Sequence, residues 1–245
     1  MREPVLFIDT NKMPWSSPGP PGIYTKLLSQ DSLSGERTAL NRLVPEEGMM
    51  PPSAAHYHHT TEELFIIRGC MSFDRKVWLQ EYSYCFHPPE TVHGFNSDVK
   101  EETWFLSHVG CALDFNYVEK PKQLSPYYVS ENIPSREFVY HSKLGRVIDK
   151  TGDDSDFFSL SCDASTGEGS VFGHVGIGWC SGKSGEQLNR SEEMYVLSGS
   201  IRCEDNSTYT SGCYTFAPEG SKRRSMVSLS DSIVYMTYGS LIQSN

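Results

Sequence analysis

Five of the eight histidines lie between His56 and His93, and three of them stand in the run His56-Tyr57-His58-His59-Thr60-Thr61-Glu62. On an extended strand the side chains at i and i+2 share a face, so His56 and His58 point one way and Tyr57 and His59 the other. Two convergent imidazoles are half of a metal site. Glu62 follows a short polar turn and opens the strand Glu62–Arg68, on which Glu62, Leu64 and Ile66 share one face. His93 ends the turn Pro88-Pro89-Glu90-Thr91-Val92 and completes three nitrogens and one oxygen. This donor set suits one divalent transition metal per chain, Fe(II), Zn, Mn, Ni or Cu, because ligand type alone does not choose among them. An octahedral ion with four protein ligands keeps two positions for a substrate with paired oxygens, or for substrate and O₂ together. Leu64, Ile66, Phe73, Trp78, Phe95 and Trp104 are expected to wall the substrate pocket, with Tyr57, Tyr84 and Glu63 as acid–base candidates. Parity sets His59 and Glu63 on the face away from the ion. His87, His108, His141 and His174 read as ordinary core or surface histidines.

The elements that must hold these side chains are strands. Short runs rich in Val, Ile, Phe, Tyr and Trp recur between Gly, Pro, Ser and Asp clusters, and helical periodicity is scarce. Examples are Glu63–Ile67, Tyr84–Phe86, Glu102–Leu106, Val171–Val175, Met194–Leu197 and Ile233–Tyr238. The pattern is written twice. LSQDSLSGE from Leu28 matches LSCDASTGE from Leu160, EELFIIRG from Glu62 matches EEMYVLSG from Glu192, and Pro88 aligns with Pro218, at offsets of 132, 130 and 130 residues. Repeats of this size imply two similar units. The expected division is a metal-binding unit over 1–120, a Pro-containing linker over 121–136 and a second unit over 137–245.

The residues fit a known pattern. His-x-His-x3-Glu-x6-Gly, the first cupin motif, is filled by His56, His58, Glu62 and Gly69, and the second motif, Gly-x5-Pro-x-Gly-x2-His, is met at Pro88 and His93 but departed from at Tyr82 and Glu90. The chain resembles a bicupin, an all-β protein of two tandem double-stranded β-helix (jelly-roll) barrels. Its opening, with Trp15, the turn Pro18–Gly22, Lys26-Leu27-Leu28 and Asp31-x3-Gly35, resembles the ChrR-like cupins. That resemblance implies a non-haem Fe(II) dioxygenase cleaving a carbon–carbon bond of a small diketone or hydroxyketone. Two alternatives are a redox-silent lyase, isomerase or decarboxylase, and a non-enzymatic zinc-binding sensor. The early start of the first unit is expected to leave no room for a sensor's separate helical domain. In the second half Glu186, Leu188 and Arg223 replace His56, His58 and His93, and only Glu192 survives, opposite Glu62. That half is expected to be metal-free, its vacant site closed by Arg223 with Glu186 and Glu192.

The 245 residues carry 21 basic and 31 acidic side chains, a net charge of −10 that repels phosphate backbones and anionic lipid surfaces. The short cluster Lys222-Arg223-Arg224 is too small for a nucleic-acid footprint, so no nucleic-acid partner is expected. No apolar stretch approaches a membrane span. Seven scattered cysteines without a Cys-x-x-Cys pair suit reduced thiols and a cytoplasmic protein. Exposed strand edges point to a homodimer.

Overall fold

Apolar and β-branched residues in Glu62–Arg68 place this strand mid-sheet, where both faces are covered. The computed structural model describes residues 1–17, 19–49, 51, 54–141 and 155–240. Pro18 of the expected Gly-rich turn, and 142–154 and 241–245 of the expected second unit, lie outside them. One six-stranded antiparallel sheet runs in the order Val139–His141, Tyr84–His87, Glu62–Arg68, Thr103–Val109, Arg37–Leu43, Ile23–Gln30. A second runs Val5–Asp9, Cys213–Ala217, Glu192–Ser198, Ser232–Tyr238, Gly169–Val175, Asp156–Cys162. Strand for strand this is the order of the first. Shorter ladders complete each barrel, among them His56–Tyr57 with Asn116–Tyr117 and Ser200–Cys203 with Met226–Ser228. The helical content of the described residues is one 3-10 turn, Thr10–Lys12.

The leading strand of each repeat sits in the barrel of the other repeat. Val5 pairs with Phe216, and Val139 pairs with Phe86 in the same register. The compact units are therefore Met1–Met13 with Arg146–Asn245, and Pro14–Gly145. This redraws the expected boundaries: the stretch 121–136 is no free linker, since Tyr127–Tyr128 pairs with Thr91–Val92 and the chain then runs on to close the edge of the first sheet. Closing that edge satisfies backbone groups that would otherwise stay unpaired. Each exchanged strand is preceded by an arginine. Arg136 binds Glu63 at 3.3 Å and the Tyr84 hydroxyl at 3.2 Å, its guanidinium 3.7 Å above the Phe86 ring. Arg2 repeats this with Glu193 at 2.5 Å, Tyr214 at 3.1 Å and the Phe216 ring at 3.8 Å.

Each barrel has its own apolar core. Leu64, Ile66, Met71, Leu79, Cys85 and Phe105 pack in the first, and Met194, Val196, Ile201, Tyr209 and Val234 in the second. The motif glycine Gly69 is demanded twice over: its φ is +89°, and a Cβ there would lie 2.4 Å from the Glu102 carbonyl oxygen. The two departures from the motif keep the backbone that glycine favours. Tyr82 and Glu90 both have φ of 62°, where the second repeat has Gly212 and Gly220 at 89° and 79°.

Candidate metal centre

His56, His58 and His93 reach one another because two short ladders converge. His56 and His93 exchange backbone hydrogen bonds of 3.0 and 2.9 Å, while the Glu90 N–H donates to the His58 carbonyl at 2.7 Å. All three imidazoles are buried, and one ring nitrogen of each lies within 4.8 Å of the others. Each ring is held by a backbone carbonyl: His56 Nδ1–H donates to Ala54 at 2.8 Å, His93 Nδ1–H to Thr91 at 2.9 Å, and His58 Nδ1–H to Asp114. A carbonyl only accepts, so Nδ1 carries the proton and Nε2 is left as a bare lone pair. Metal-ligating histidines are oriented in this way. Burial, reinforced by the neighbouring His93, pushes His56 down to about 4, so it is neutral and ready to ligate at neutral pH.

Glu62 stands beside this triad with its Oε2 at 3.2 Å from His93 Nε2. It also meets His87, directly across the ladder, whose Nδ1–H donates to the same oxygen at 3.2 Å. Burial alone would raise Glu62; the hydrogen bond donated by His87, with the His93 imidazole close beside it, outweighs it and holds the carboxyl well below its usual range. His87 stacks on His93, ring centroids 4.0 Å apart, and its Nε2 accepts the Tyr140 hydroxyl at 2.7 Å. Glu62, His87 and His93 thus form a second potential donor group that shares His93 with the first. His87 corrects the reading of it as an ordinary core histidine. Alternation on Tyr84–His87 puts it on the face of Cys85, the signal that could have found it, but it fills a position the motif leaves unspecified and the second repeat has Ala217 there. Tyr140 was invisible in sequence because it arrives on the exchanged strand. Phe115 and Tyr117 were also missed: Phe115 lies 4.9 Å edge-on to His58 and 5.3 Å from His56, with Tyr117 beside it.

Parity holds for the decoys. His59 is exposed and bound to Asp114 at 2.6 Å, with Tyr57 edge-on to it, so neither joins the cluster. The acid–base candidates Glu63 and Tyr84 also stand elsewhere: they bond each other at 2.7 Å within the Arg136 triad, on the opposite face of the strand from Glu62. Of the expected pocket residues, Leu64 and Ile66 are core, and Phe73 lies edge-on to His87 and His93. Trp104 is not a wall of the site. Alternation along Thr103–Val109 puts Phe105, opposite Ile66, in the core and Trp104 on the other face, against Trp15, Arg68 and Glu102. Trp78 stacks under Lys100, and Phe95 faces Tyr127. In the second barrel Arg223 forms a bidentate pair with Glu192 at 2.8 Å for both bonds, while Glu186, 3.5 Å away and 59% exposed, sits at the rim.

Residues 3–112 match the family model of the ChrR cupin-like domain. The whole fold matches the crystal structure of a provisionally named dioxygenase from Nostoc punctiforme PCC 73102, with TM-score 0.71 at 18% identity over 99% of this chain and 84% of that one. This is the fold of a bicupin, two tandem cupin barrels. Its two barrels also superpose on salicylate 1,2-dioxygenase from Pseudaminobacter salicylatoxidans, with TM-score 0.60 at 10% identity over 83% of this chain and 71% of that one. For a single-site mutant of the oxalate decarboxylase OxdC from Bacillus subtilis the TM-score is 0.55 at 13% identity, over 98% and 78%. No curated protein matches the bicupin by sequence. No helix among its described residues is long and apolar enough to cross a membrane.

Proposed function

We propose that this bicupin is a metal-dependent enzyme, a non-haem Fe(II) dioxygenase that cleaves a carbon–carbon bond of a small diketone- or hydroxyketone-type substrate at the first barrel. The observation that carries the reading is the set of three buried imidazoles whose Nδ1–H groups are all tied to carbonyls, leaving Nε2 free beside Glu62. His56, His58, His93 and Glu62 would hold one divalent ion. Bound there, it supplies Lewis acidity and open coordination positions for paired substrate oxygens. The protein's own part is positional. Carbonyls fix the imidazoles, His87 fixes Glu62, and Phe73 and Phe115 keep the site apolar, which strengthens electrostatic interactions inside it. We place the protein in the cytoplasm, with a small-molecule substrate, O₂ and a second copy of itself as partners.

A redox-silent lyase, isomerase or decarboxylase is the second reading, and one observation favours it. The Tyr140 O–H, His87 and Glu62 form a hydrogen-bonded line able to deliver or remove a proton next to the donor cluster. Metal analysis of protein purified without added metal, followed by an oxygen-electrode screen of diketones and hydroxyketones, separates the two. Substrate-dependent O₂ uptake by the iron-loaded protein supports the dioxygenase; turnover without O₂ uptake replaces it with the second reading.

A further inference from the structure

The second barrel keeps the frame of the metal centre and changes its contents. Arg223 N–H donates to the Glu186 carbonyl as His93 N–H donates to His56, and Gly220 N–H donates to Leu188 as Glu90 N–H donates to His58. Glu192 pairs with Ala217 across the ladder as Glu62 pairs with His87. An irregularity between Val5 and Ile8 sets Leu6 and Phe7 where Tyr140 alone stands between Val139 and His141. His58 and His87 are therefore replaced by Leu188 and Ala217, and the Tyr140 hydroxyl has no counterpart on Leu6 or Phe7, which removes polar atoms and frees space. The result is a cavity of about 100 Å³ lined by Leu6, Leu188 and Ala217 together with Met194, Met226 and Met236.

Its size and chemistry select a ligand. A dry apolar cavity of about 150 Å³ takes benzene, so this one accepts a compact body of similar scale, and methionine walls adapt to its outline. No imidazole lines it, and Arg223 stands where a metal would be, which disfavours a cation. Its charged lining groups are nearly balanced. Glu193 is paired with Arg2, Arg223 with Glu192 and Arg224 with Asp205. Lys222 lines the same cavity, is exposed, and has no ion-pair partner among the described residues. One uncompensated cation beside an apolar chamber matches a monoanion.

We propose that the cavity of the second barrel binds a small monocarboxylate with a compact apolar body, the carboxylate towards Lys222 and the body among Leu188, Met194, Met226 and Met236. This site is separate from the metal centre and does not rest on the reading of that centre.

The probe is benzoate, with benzyl alcohol as its neutral counterpart. In wild-type protein carrying methyl-labelled methionine, benzoate should shift the Met194, Met226 and Met236 signals and spare Met49 and Met71 of the first barrel, with or without chelator. Calorimetry should give one benzoate per chain, tighter than benzyl alcohol, and Lys222→Gln should weaken benzoate about three- to fivefold without touching benzyl alcohol. Ala217→Phe or Leu188→Phe should fill the cavity and abolish binding while the first barrel keeps its metal. Three outcomes overturn the proposal. They are no binding at millimolar benzoate, methionine shifts confined to the first barrel or lost on chelation, and benzyl alcohol binding as tightly as benzoate.

Discussion

The Tyr84 hydroxyl donates to Glu63 at 2.7 Å, and 130 residues later the Tyr214 hydroxyl donates to Glu193 at 2.8 Å. Both glutamates also receive the arginine that precedes the exchanged leading strand, so each barrel holds a buried Arg–Glu–Tyr device of the same make. Removing one partner of a buried pair strands a charge and costs roughly 3–5 kcal/mol, against about 1 kcal/mol for a single hydrogen bond. Arg136→Met and Arg2→Met should therefore lower chemical stability by several kcal/mol each, and Tyr84→Phe by far less. Arg2→Met should speed hydrogen exchange in Cys213–Ala217 and not in Tyr84–His87. If both arginine variants unfold like the wild type, the device is not what holds the exchanged strands.

Metal content should follow strand parity. His58→Ala and Glu62→Gln should strip most of the metal, while His59→Ala should leave it nearly unchanged because His59 spends its ring on Asp114 at the surface. Elemental analysis of the purified variants checks this, with one equivalent per chain expected in the wild type. Two equivalents, or metal loss on His59→Ala, would contradict the assignment.

The line from Tyr140 through His87 to Glu62 should tune affinity rather than provide ligands. Residues that orient metal ligands typically contribute about 10- to 100-fold in affinity, so His87→Gln and Tyr140→Phe should weaken metal binding by about that factor while the bound ion stays at one per chain. Competition with a chromophoric chelator measures it. Equal affinity in both variants would leave His87 as packing alone.

Chelated protein should lose stability as the solution turns acid, between pH 6.5 and about 4. His56 and His87 are each pushed from 6.5 down to about 4, by burial first and by His93 second. In that window the unfolded chain binds protons that the folded chain refuses, so stability rises with pH, by up to about 1.4 kcal/mol per pH unit for each proton. Urea unfolding at pH 7, 6 and 5 should show the slope, and His87→Gln should reduce it. A flat profile would show that neither imidazole is held neutral.

Glu90 occupies a left-handed backbone position that costs an ordinary residue about 1–2 kcal/mol. Glu90→Gly relieves that strain but loosens the unfolded chain, so a net gain of about 0.5–1 kcal/mol is expected, read as a higher midpoint of thermal unfolding. A lower midpoint would mean that the Glu90 side chain contributes more than its backbone costs.

Local chemistry was legible in the sequence. The spacing of His56, His58 and Glu62 converts directly into faces of strands, because the period of an extended chain is fixed by covalent geometry. The repeat likewise announced two barrels, since equal patterns bury equal cores, and the Glu62–Arg68 and Glu192–Ser198 strands begin where their alignment placed them. Other features depended on which strands become neighbours. His87 joins the cluster because its strand pairs with that of Glu62, and Tyr140 because the second repeat's leading strand closes the first sheet. Phe105 rather than Trp104 lines the core because Phe105 lies opposite Ile66 across the ladder. Pairing and register come from long-range hydrogen bonding and edge closure, which local spacing does not encode, so the tertiary structure alone decided what surrounds the three histidines.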